Sequence, residues 1–561
     1  MSQKIDLAYF SMEFMLKTHI PTYSGGLGVL AGDLLRSCAD KEIPAVGITL
    51  VYKGASFNQT IKPDGTQTFS ELDWRKNDQF TKLPQHTMLV IDGKNVRVEC
   101  WRYDIVGFNE YVVPVYLLDT DTFENDSWAR SITDNLYAGD PNVRLCQEIV
   151  LGVGGVKILR ELGIHDIKTY HMNEGHSAFA TLQLLSELNY NDNLVRKKCI
   201  FTTHTPIPEG HDSFDYEIAT KYAGTYLPWH IKKLAGNDKL NMSRLAMSLS
   251  KTHFAVSKKH ESVTKNLFAD FDIDYVTNGV HPRTWVASNM QDLYSEFIPD
   301  WLENPELLKE APNKIPDNAL WLAHLECKKV LVDFVNKHIS EPKLDELFDV
   351  ETLTLSLARR PVAYKRPLLI YRDFARLVRI CAGRVQIVQS GKSHPDDEVS
   401  QEIVREILRI SQKLKGVVRI IYLENYSPKI ARILVSGADI WLNTPTRPLE
   451  ASGTSGMKAA MNGVLNFSVP DGWWIEGSEM APDAGFTIGP KSDELYPQND
   501  DELDSEDLYQ KLEGEIVPMY YEKRAEWIKR MKAAITLASY FNTHRVLDEY
   551  LQKSRGAEKS H

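Results

Sequence analysis

The chain has no C-x-x-C pair. Its six cysteines, Cys38, Cys100, Cys146, Cys199, Cys327 and Cys381, are scattered over 561 residues, which argues against a disulfide framework and a cysteine zinc site and fits a reducing compartment. It also lacks an apolar run near the roughly 18 residues of a membrane span, and MSQKIDLAYFSMEF has no signal-peptide core, so the expected location is the cytoplasm. Positive charge is in deficit: the formal net charge is −11, which argues against a nucleic-acid partner without excluding a local basic pocket. Internal repeats and low-complexity tracts are missing too. What remains is an ordinary globular composition, long enough for two to four domains at about 100–200 residues each.

Short apolar runs alternate with helical patterns. Ile5–Phe10, Ala45–Val51, Thr169–Met172 and Lys198–Thr203 read as strands; Asp33–Lys41 and Gln147–Leu162 read as helices, the latter carrying Gly152-Val153-Gly154-Gly155. A second series starts near residue 352. Leu353–Leu357, Val385–Gln389, Val417–Leu423, Ile440–Leu442 and Gly463–Val469 are strand-like, with helices at Leu368–Ala382 and Glu398–Leu414. Such alternation implies α/β architecture with parallel sheets, whose ligands sit beyond the carboxyl ends of the strands. Two facing α/β domains would make a deep cleft. A helical stretch from about Leu293 to Phe348 reads as the bridge. The acidic run Asn499–Asp507 reads as a helix start, and the tail from Ser554 as frayed.

Five segments could carry chemistry. Ser24-Gly25-Gly26-Leu27-Gly28-Val29-Leu30-Ala31-Gly32-Asp33 is an anion loop or a plain turn; it fits the dinucleotide fingerprint only loosely, because Pro21-Thr22-Tyr23 separates it from the strand. His171-Met172-Asn173-Glu174-Gly175-His176 does not have H-E-x-x-H spacing, so a sugar contact or a loop tie suits it better than a metal. Thr202-Thr203-His204-Thr205-Pro206 follows another strand. Arg359, Arg360, Lys365 and Arg366 end the strand Leu353–Leu357, an oxyanion site or a solvated face; Gly391-Lys392-Ser393-His394-Pro395 is a weaker parallel. In Arg447–Gly463 small residues open a helix holding Lys458, a solvated lysine or a Schiff-base nucleophile.

Together these segments resemble the α-glucan phosphorylases, the family of glycogen, starch and maltodextrin phosphorylases. Glu450-Ala-Ser-Gly-Thr-Ser-Gly-Met-Lys458 looks like the family's pyridoxal-phosphate lysine motif. Tyr9–Phe14, Ser24–Asp33, Phe57-Asn58-Gln59, His171–His176, Thr203–Glu209, Asn278–Trp285, Arg359–Arg366 and Asp471-Gly-Trp-Trp474 match further blocks, spanning about residues 5–550. The likeness is greatest to the short bacterial and archaeal branch. The chain starts almost at the Tyr9–Phe14 block, so the extension that carries phosphorylation and nucleotide control in animal enzymes is expected to be missing.

The resemblance implies two Rossmann-like domains facing a deep cleft, the glycosyltransferase B arrangement: an N-terminal domain over 1–292, a helical bridge over 293–350, a C-terminal domain over 351–526, and helices over 527–561 crossing back to the first. It implies a cytoplasmic glycosyltransferase that releases α-glucose 1-phosphate from a terminal α-1,4 bond with retention. Its partners would be an α-1,4-glucan and inorganic phosphate, with neither nucleic acid nor membrane, and a homodimer is plausible by family. Pyridoxal 5'-phosphate would be held by Lys458, with Arg359, Thr454, Gly456 and Tyr426 around it, and its phosphate would exchange a proton with the substrate phosphate. Arg360 and Lys365 would bind that substrate phosphate, near Gly25 and Gly26. Glu450, Ser452, Gly453 and His204 would contact the sugar, with Glu174 and His176 also on the substrate side. Lys458, Arg360, Lys365 and His204 form the catalytic set, and no metal is implied.

A nucleotide-sugar glycosyltransferase on the same fold would not need a lysine at 458. A non-catalytic glucan-binding relative would be expected to have lost it or the basic block. Departures from the family pattern are Asn425-Tyr426-Ser427-Pro428, Pro361 and Ala363 in the basic block, and Gly485-Phe486-Thr487-Ile488-Gly489. They bear on chain-length preference and efficiency and remove no proposed catalytic residue.

Overall fold

The computed structural model describes residues 4–17, 19–20, 22–54, 57–72, 74, 76–137, 139–339, 346–489 and 501–556. The chain is mixed α/β and divides into two compact units. The first comprises 1–57, 71–281 and 543–561; the second comprises 58–70 and 282–542.

The first unit is built on a nine-stranded sheet. Its spatial order is Asp274–Tyr275, Thr252–Ala255, Cys199–Thr202, Ile167–Asn173, Ile5–Phe10, Ala45–Leu50, Val112–Asp119, Lys94–Val106 and Thr81–Ile91. Pairing is parallel from the first of these through Val112–Asp119, and antiparallel for the last three. The alternating side chains feed two cores: Ala8 and Phe10 join one apolar cluster, Leu7 and Tyr9 the other. The antiparallel extension was not expected from the alternation of elements. It had one local signal, Asp92-Gly93, whose φ values of 52° and 69° make the tight turn between its long strands.

Helices cover the sheet. The helix Gly26–Asp40 begins earlier than the expected Asp33–Lys41. The stretch read as one helix over Gln147–Leu162 is Pro141–Ile149, a wider turn at Val150–Gly154, and Gly155–Glu161. Its glycines are packing residues: a Cβ on Gly152 would lie 2.4 Å from the Ala180 nitrogen, and one on Gly155 2.7 Å from Phe10 and Ile48. The C-terminal helix Thr543–Gly556 lies along Gly26–Asp40, burying Val546, Leu547 and Tyr550. Ser37 Oγ and Thr543 Oγ1 are 2.6 Å apart there, and Lys41 Nζ meets Asp548 Oδ2 at 2.8 Å.

The second unit holds a six-stranded, wholly parallel sheet: Arg419–Leu423, Val385–Ser390, Leu353–Ala358, Ile440–Asn443, Leu465–Ser468 and Gly485–Thr487. Numbered along the chain, that is 3-2-1-4-5-6, an order that leaves a crevice between the first and fourth strands at their carboxyl ends. The expected helix Leu368–Ala382 is a short turn, Leu369–Tyr371, followed by Phe374–Cys381, because Asp373 caps a new helix start by accepting from the Arg376 N–H. Residues 293–339 pack within this unit; Asp317–Asn336 is their longest helix. Arg524–Ala538 also belongs to it. The acidic helix begins at Asp501; Asn499 and Asp500 lie outside the described residues. Among the described residues no helix is long and apolar enough to cross a membrane.

Candidate functional site

In the first unit the candidate residues gather at the carboxyl ends of Ile5–Phe10, Ile167–Asn173 and Cys199–Thr202. The chain leaving Ile5–Phe10 turns back through Thr22, which exchanges hydrogen bonds with Phe14. Glu13, 2 % exposed, then accepts from the Ser24 and Gly25 N–H groups and from the Tyr137 hydroxyl at 2.8 Å. The loop is thereby fixed, while Gly25 and Gly26 stay exposed with open space where a Cβ would stand. Gly28 is different: a Cβ there would meet Tyr23 at 2.6 Å and Glu13 at 2.8 Å.

Glu174, with φ 72°, ties the next two loops together. Its Oε1 accepts from the His204 N–H, from Thr203 Oγ1 at 3.1 Å and from Thr205 Oγ1 at 3.0 Å. Asn173 Nδ2 donates to Ser11 Oγ at 3.1 Å, leaving its Oδ1 to accept from His204 Nε2 at 2.6 Å. Burial pushes the His204 imidazole down to about 3, so it is neutral near pH 7 with its proton on Nε2. His171 is a core residue: it meets Thr202 Oγ1 at 2.8 Å and packs edge-on to Tyr9 and Tyr550.

His176 is also held near 3, first by burial and then by Arg144. Its Nε2 stands 3.3 Å from Asp212 Oδ2, and its buried Nδ1 has no hydrogen-bond partner among the described residues. Arg144 grips Asp212 at 2.8 and 3.0 Å, meets Glu148 at 3.3 Å and stacks 4.6 Å above Tyr137. Burial holds the Glu148 carboxyl well above the usual range. Tyr137, Arg144, Glu148 and Asp212 have no local motif, and the sequence reading missed them.

In the second unit the residues converge at the crevice between Leu353–Ala358 and Ile440–Asn443. Arg359 leaves the first of these strands and donates through Nη2 to Leu442 O at 3.0 Å, across the crevice. Its Nη1 is buried without a hydrogen-bond partner among the described residues. Burial brings even this guanidinium down to about 10. Tyr426 lies close enough to interact electrostatically with it. Arg360 is exposed and makes no ion pair among the described residues. Lys365 is ion-paired with Glu450. Arg366, by contrast, is structural: its guanidinium donates to Thr444 O, Pro445 O, Asp501 and Asp504. Lys392 is brought down to about 8 by burial, beside Gly391, whose Cβ would lie 2.4 Å from Arg359 O.

The loop 450–454 is set by the Asp471–Trp474 block. Asp471 accepts from the Glu450 and Gly472 N–H groups, both at 2.9 Å, and the Trp473 N–H donates to Ser452 O at 2.9 Å. Gly472 has φ 54°, and a Cβ there would lie 2.2 Å from Ser452 O. Burial, then Glu450, pushes Asp471 up to about 7. Gly453 turns the loop with φ 74°, and Thr454 precedes the short helix Ser455–Ala460. Asn466 Nδ2 donates to Gly456 O at 3.0 Å and occupies the space a Cβ would need. Lys458, 8 % exposed, places Nζ 3.6 Å from the Trp285 ring centroid. Asn462 bridges Trp285 O and Lys458 O at 3.0 and 2.8 Å and holds them together.

The Ser427-Pro428 departure also has a structural account. Ser427 caps the helix Pro428–Gly437 by accepting from the Ile430 N–H, and Pro428 occupies the first turn, where no N–H is needed. Asn425, at φ 56°, exchanges hydrogen bonds with Gln59 and donates to Asn58, so these two residues sit at the turn that leads into Tyr426.

The orphaned Arg359 Nη1, in a crevice flanked by the Lys458 loop and Tyr426, is a donor that a phosphoester would satisfy. The residues present therefore fit pyridoxal phosphate.

The chain is similar to known proteins. The family model described as carbohydrate phosphorylase matches residues 212–516. Maltodextrin phosphorylase of Thermococcus litoralis is 38 % identical over 97 % of this chain and 70 % of its own. Glycogen phosphorylase of Aquifex aeolicus is 34 % identical over 98 % and 86 %. An uncharacterised protein of Methanocaldococcus jannaschii is 33 % identical over 97 % and 99 %. With matched residues and relatives extending across both units, the chain belongs to the carbohydrate phosphorylase family of glycosyltransferase enzymes.

Proposed function

We propose that this enzyme is an α-1,4-glucan phosphorylase, releasing α-glucose 1-phosphate from the end of a maltodextrin, starch or glycogen chain with retained configuration. The observation that carries the reading is the crevice of the second unit in which Arg359 keeps an unpartnered buried Nη1, beside a loop held by Asp471 and Trp473. Arg359 and Arg360 bring charge there that no carboxylate of the described residues takes up by ion pairing.

Pyridoxal phosphate would be held by Lys458, with Arg359, Thr454, Gly456 and Tyr426 around it. The chemistry it supplies when bound is that of its phosphate, a proton donor and acceptor for inorganic phosphate. Arg360 and Lys365 bind the inorganic phosphate, Arg360 ready-made and Lys365 once substrate draws it from Glu450. Clustered cations offset the repulsion of phosphates bound close together. Glu450, Ser452 and Gly453 present polar groups to the glucose hydroxyls, and Asp471 keeps them there without touching the sugar. On the first unit, Gly26, at the open start of a fifteen-residue helix, offers its backbone N–H to an anion, while the Gly25 N–H is taken by Glu13. His204, neutral and pinned by Asn173, orients the sugar as a hydrogen-bonding group. Glu174 sets the His204 backbone, and the unpartnered Nδ1 of His176 is a contact for the glucan.

Phosphate-dependent release of glucose 1-phosphate from a panel of maltooligosaccharides and glycogen tests the reading. Product that forms only with phosphate present supports it. Transfer from a nucleotide sugar with no phosphorolysis would replace it.

A further inference from the structure

In the first unit, remote from the loops after residues 13, 174 and 204 in sequence, three side chains converge from distant parts of the chain. Asp40 ends the helix Gly26–Asp40, His281 follows the strand Asp274–Tyr275, and His544 starts the C-terminal helix. They are 8 %, 3 % and 4 % exposed. One ligand atom from each lies within 4.8 Å of the others. His281 Nε2 is 2.7 Å and His544 Nε2 3.6 Å from the same oxygen, Asp40 Oδ2.

Two features go beyond an ordinary ion pair. Asp40 Oδ1 is already used, accepting the Phe108 N–H at 3.0 Å, so the carboxylate is fixed with Oδ2 turned to the histidines. His544 directs Nε2 at that same oxygen, and its buried Nδ1 has no hydrogen-bond partner among the described residues. A buried imidazole nitrogen without a partner loses the hydrogen bond it would make to water. The backbone around it is held: the Thr543 N–H donates to Val280 O at 3.1 Å, Arg545 reaches Asn278 O at 3.2 Å, and the His281 N–H meets Asp33 Oδ2 at 3.2 Å.

We propose that Asp40, His281 and His544 form a transition-metal site, with zinc the cation best suited to its two imidazoles and one carboxylate. Ligand bonds of about 2.0–2.2 Å set neighbouring donors about 3.3 Å apart, so side-chain shifts of about 1 Å would bring these atoms onto one ion. Water takes the remaining position. Because the ligands come from residues 40, 281 and 544, the ion fastens the end of the chain to the first helix, and its binding energy adds to folding stability. No short motif announces such a site, since each ligand stands alone in the sequence.

The test uses untagged, chelator-stripped full-length protein titrated with cobalt as a spectroscopic stand-in, and with zinc in a thermal-shift series. The expected result is stoichiometric cobalt with the visible bands of a low-coordinate site, and a thermal midpoint that rises with zinc. Both are lost in His544→Ala, whereas His86→Ala, on the edge strand Thr81–Ile91, retains them. X-ray absorption at the cobalt edge of the wild type should show two imidazole ligands, a readout that does not need the variant to fold. Absence of saturable binding, binding that survives His544→Ala, or a cobalt centre with fewer than two imidazoles would each overturn the site in favour of a metal-free Asp–His pair.

Discussion

The Lys458 ammonium rests on the face of the Trp285 indole, 3.6 Å from its centroid, and Asn462 fastens the two backbones together. The lysine is thus held in a dry, ordered place by a residue 173 positions earlier in the chain. Reconstitution with pyridoxal phosphate should give a near-ultraviolet band, and borohydride should fix the label on Lys458. Lys458→Ala should lose both the label and phosphorolysis. Full activity in that variant would remove the cofactor assignment.

Arg360 is exposed and outside any ion pair of the described residues, whereas Arg366 is spent on two aspartates. Arg360→Ala should therefore raise the KM for phosphate by about 10- to 100-fold, the value of a charge-assisted hydrogen bond, with little change in the KM for maltodextrin. Equal changes in both constants would count against a phosphate contact. Arg366→Ala should instead lower the thermal midpoint.

Gly472 cannot accept a side chain without moving Ser452, since a Cβ would lie 2.2 Å from the Ser452 carbonyl oxygen. Gly472→Ala should cut kcat/KM by about 100-fold, a loss typical of a misplacement near 1 Å. Circular dichroism should stay near that of the wild type. A variant with unaltered kinetics would show that the 450–453 loop does not position substrate.

The second unit buries an ionic group. Lys328 and Asp439 are wholly inaccessible and 2.6 Å apart, with His324 on the other carboxylate oxygen at 2.8 Å and the Tyr520 hydroxyl 2.9 Å from the lysine. Removing one partner strands the other. Asp439→Ala should cost about 3–5 kcal/mol, read from the denaturation midpoint. A loss near that of a surface pair, under about 1 kcal/mol, would contradict the burial.

Acid should weaken the first unit through its buried imidazoles. His171 and His176 are held near 3 in the fold, against about 6.5 in an unfolded chain. Their stability is fully present above about 6.5 and is lost as pH falls toward about 3, because only the unfolded state takes up the protons. Each contributes a slope of about 1.4 kcal/mol per pH unit in that window. Unfolding near pH 5 should take up protons, measurable by calorimetry in buffers of different ionisation enthalpy. His171→Asn should reduce the uptake; no change would place that imidazole in contact with water.

Local patterning in the sequence determined the α/β class and most of the parallel strands, because buried strands such as Leu353–Leu357 and Val385–Gln389 read as short apolar runs wherever they pack; Thr252–Ala255, Asp274–Tyr275, Val112–Asp119 and Gly485–Thr487 were not singled out. It also offered Lys458 and Arg359 as candidates, and the family resemblance added the Asp471–Trp474 block, since each lies in a contiguous motif. It did not single out the antiparallel extension, whose main signal was one Asp-Gly turn, or the division that places 58–70 with residues 282–542. Nor could it separate Arg360 from Arg366: both are arginines of one run, and only the fold brings Asp501 and Asp504 to the second. The same holds for Arg144, Glu148, Asp212 and His176, and for Asp40, His281 and His544. Their meaning lies in distances between residues tens to hundreds of positions apart, and such distances exist only after the sheets have assembled.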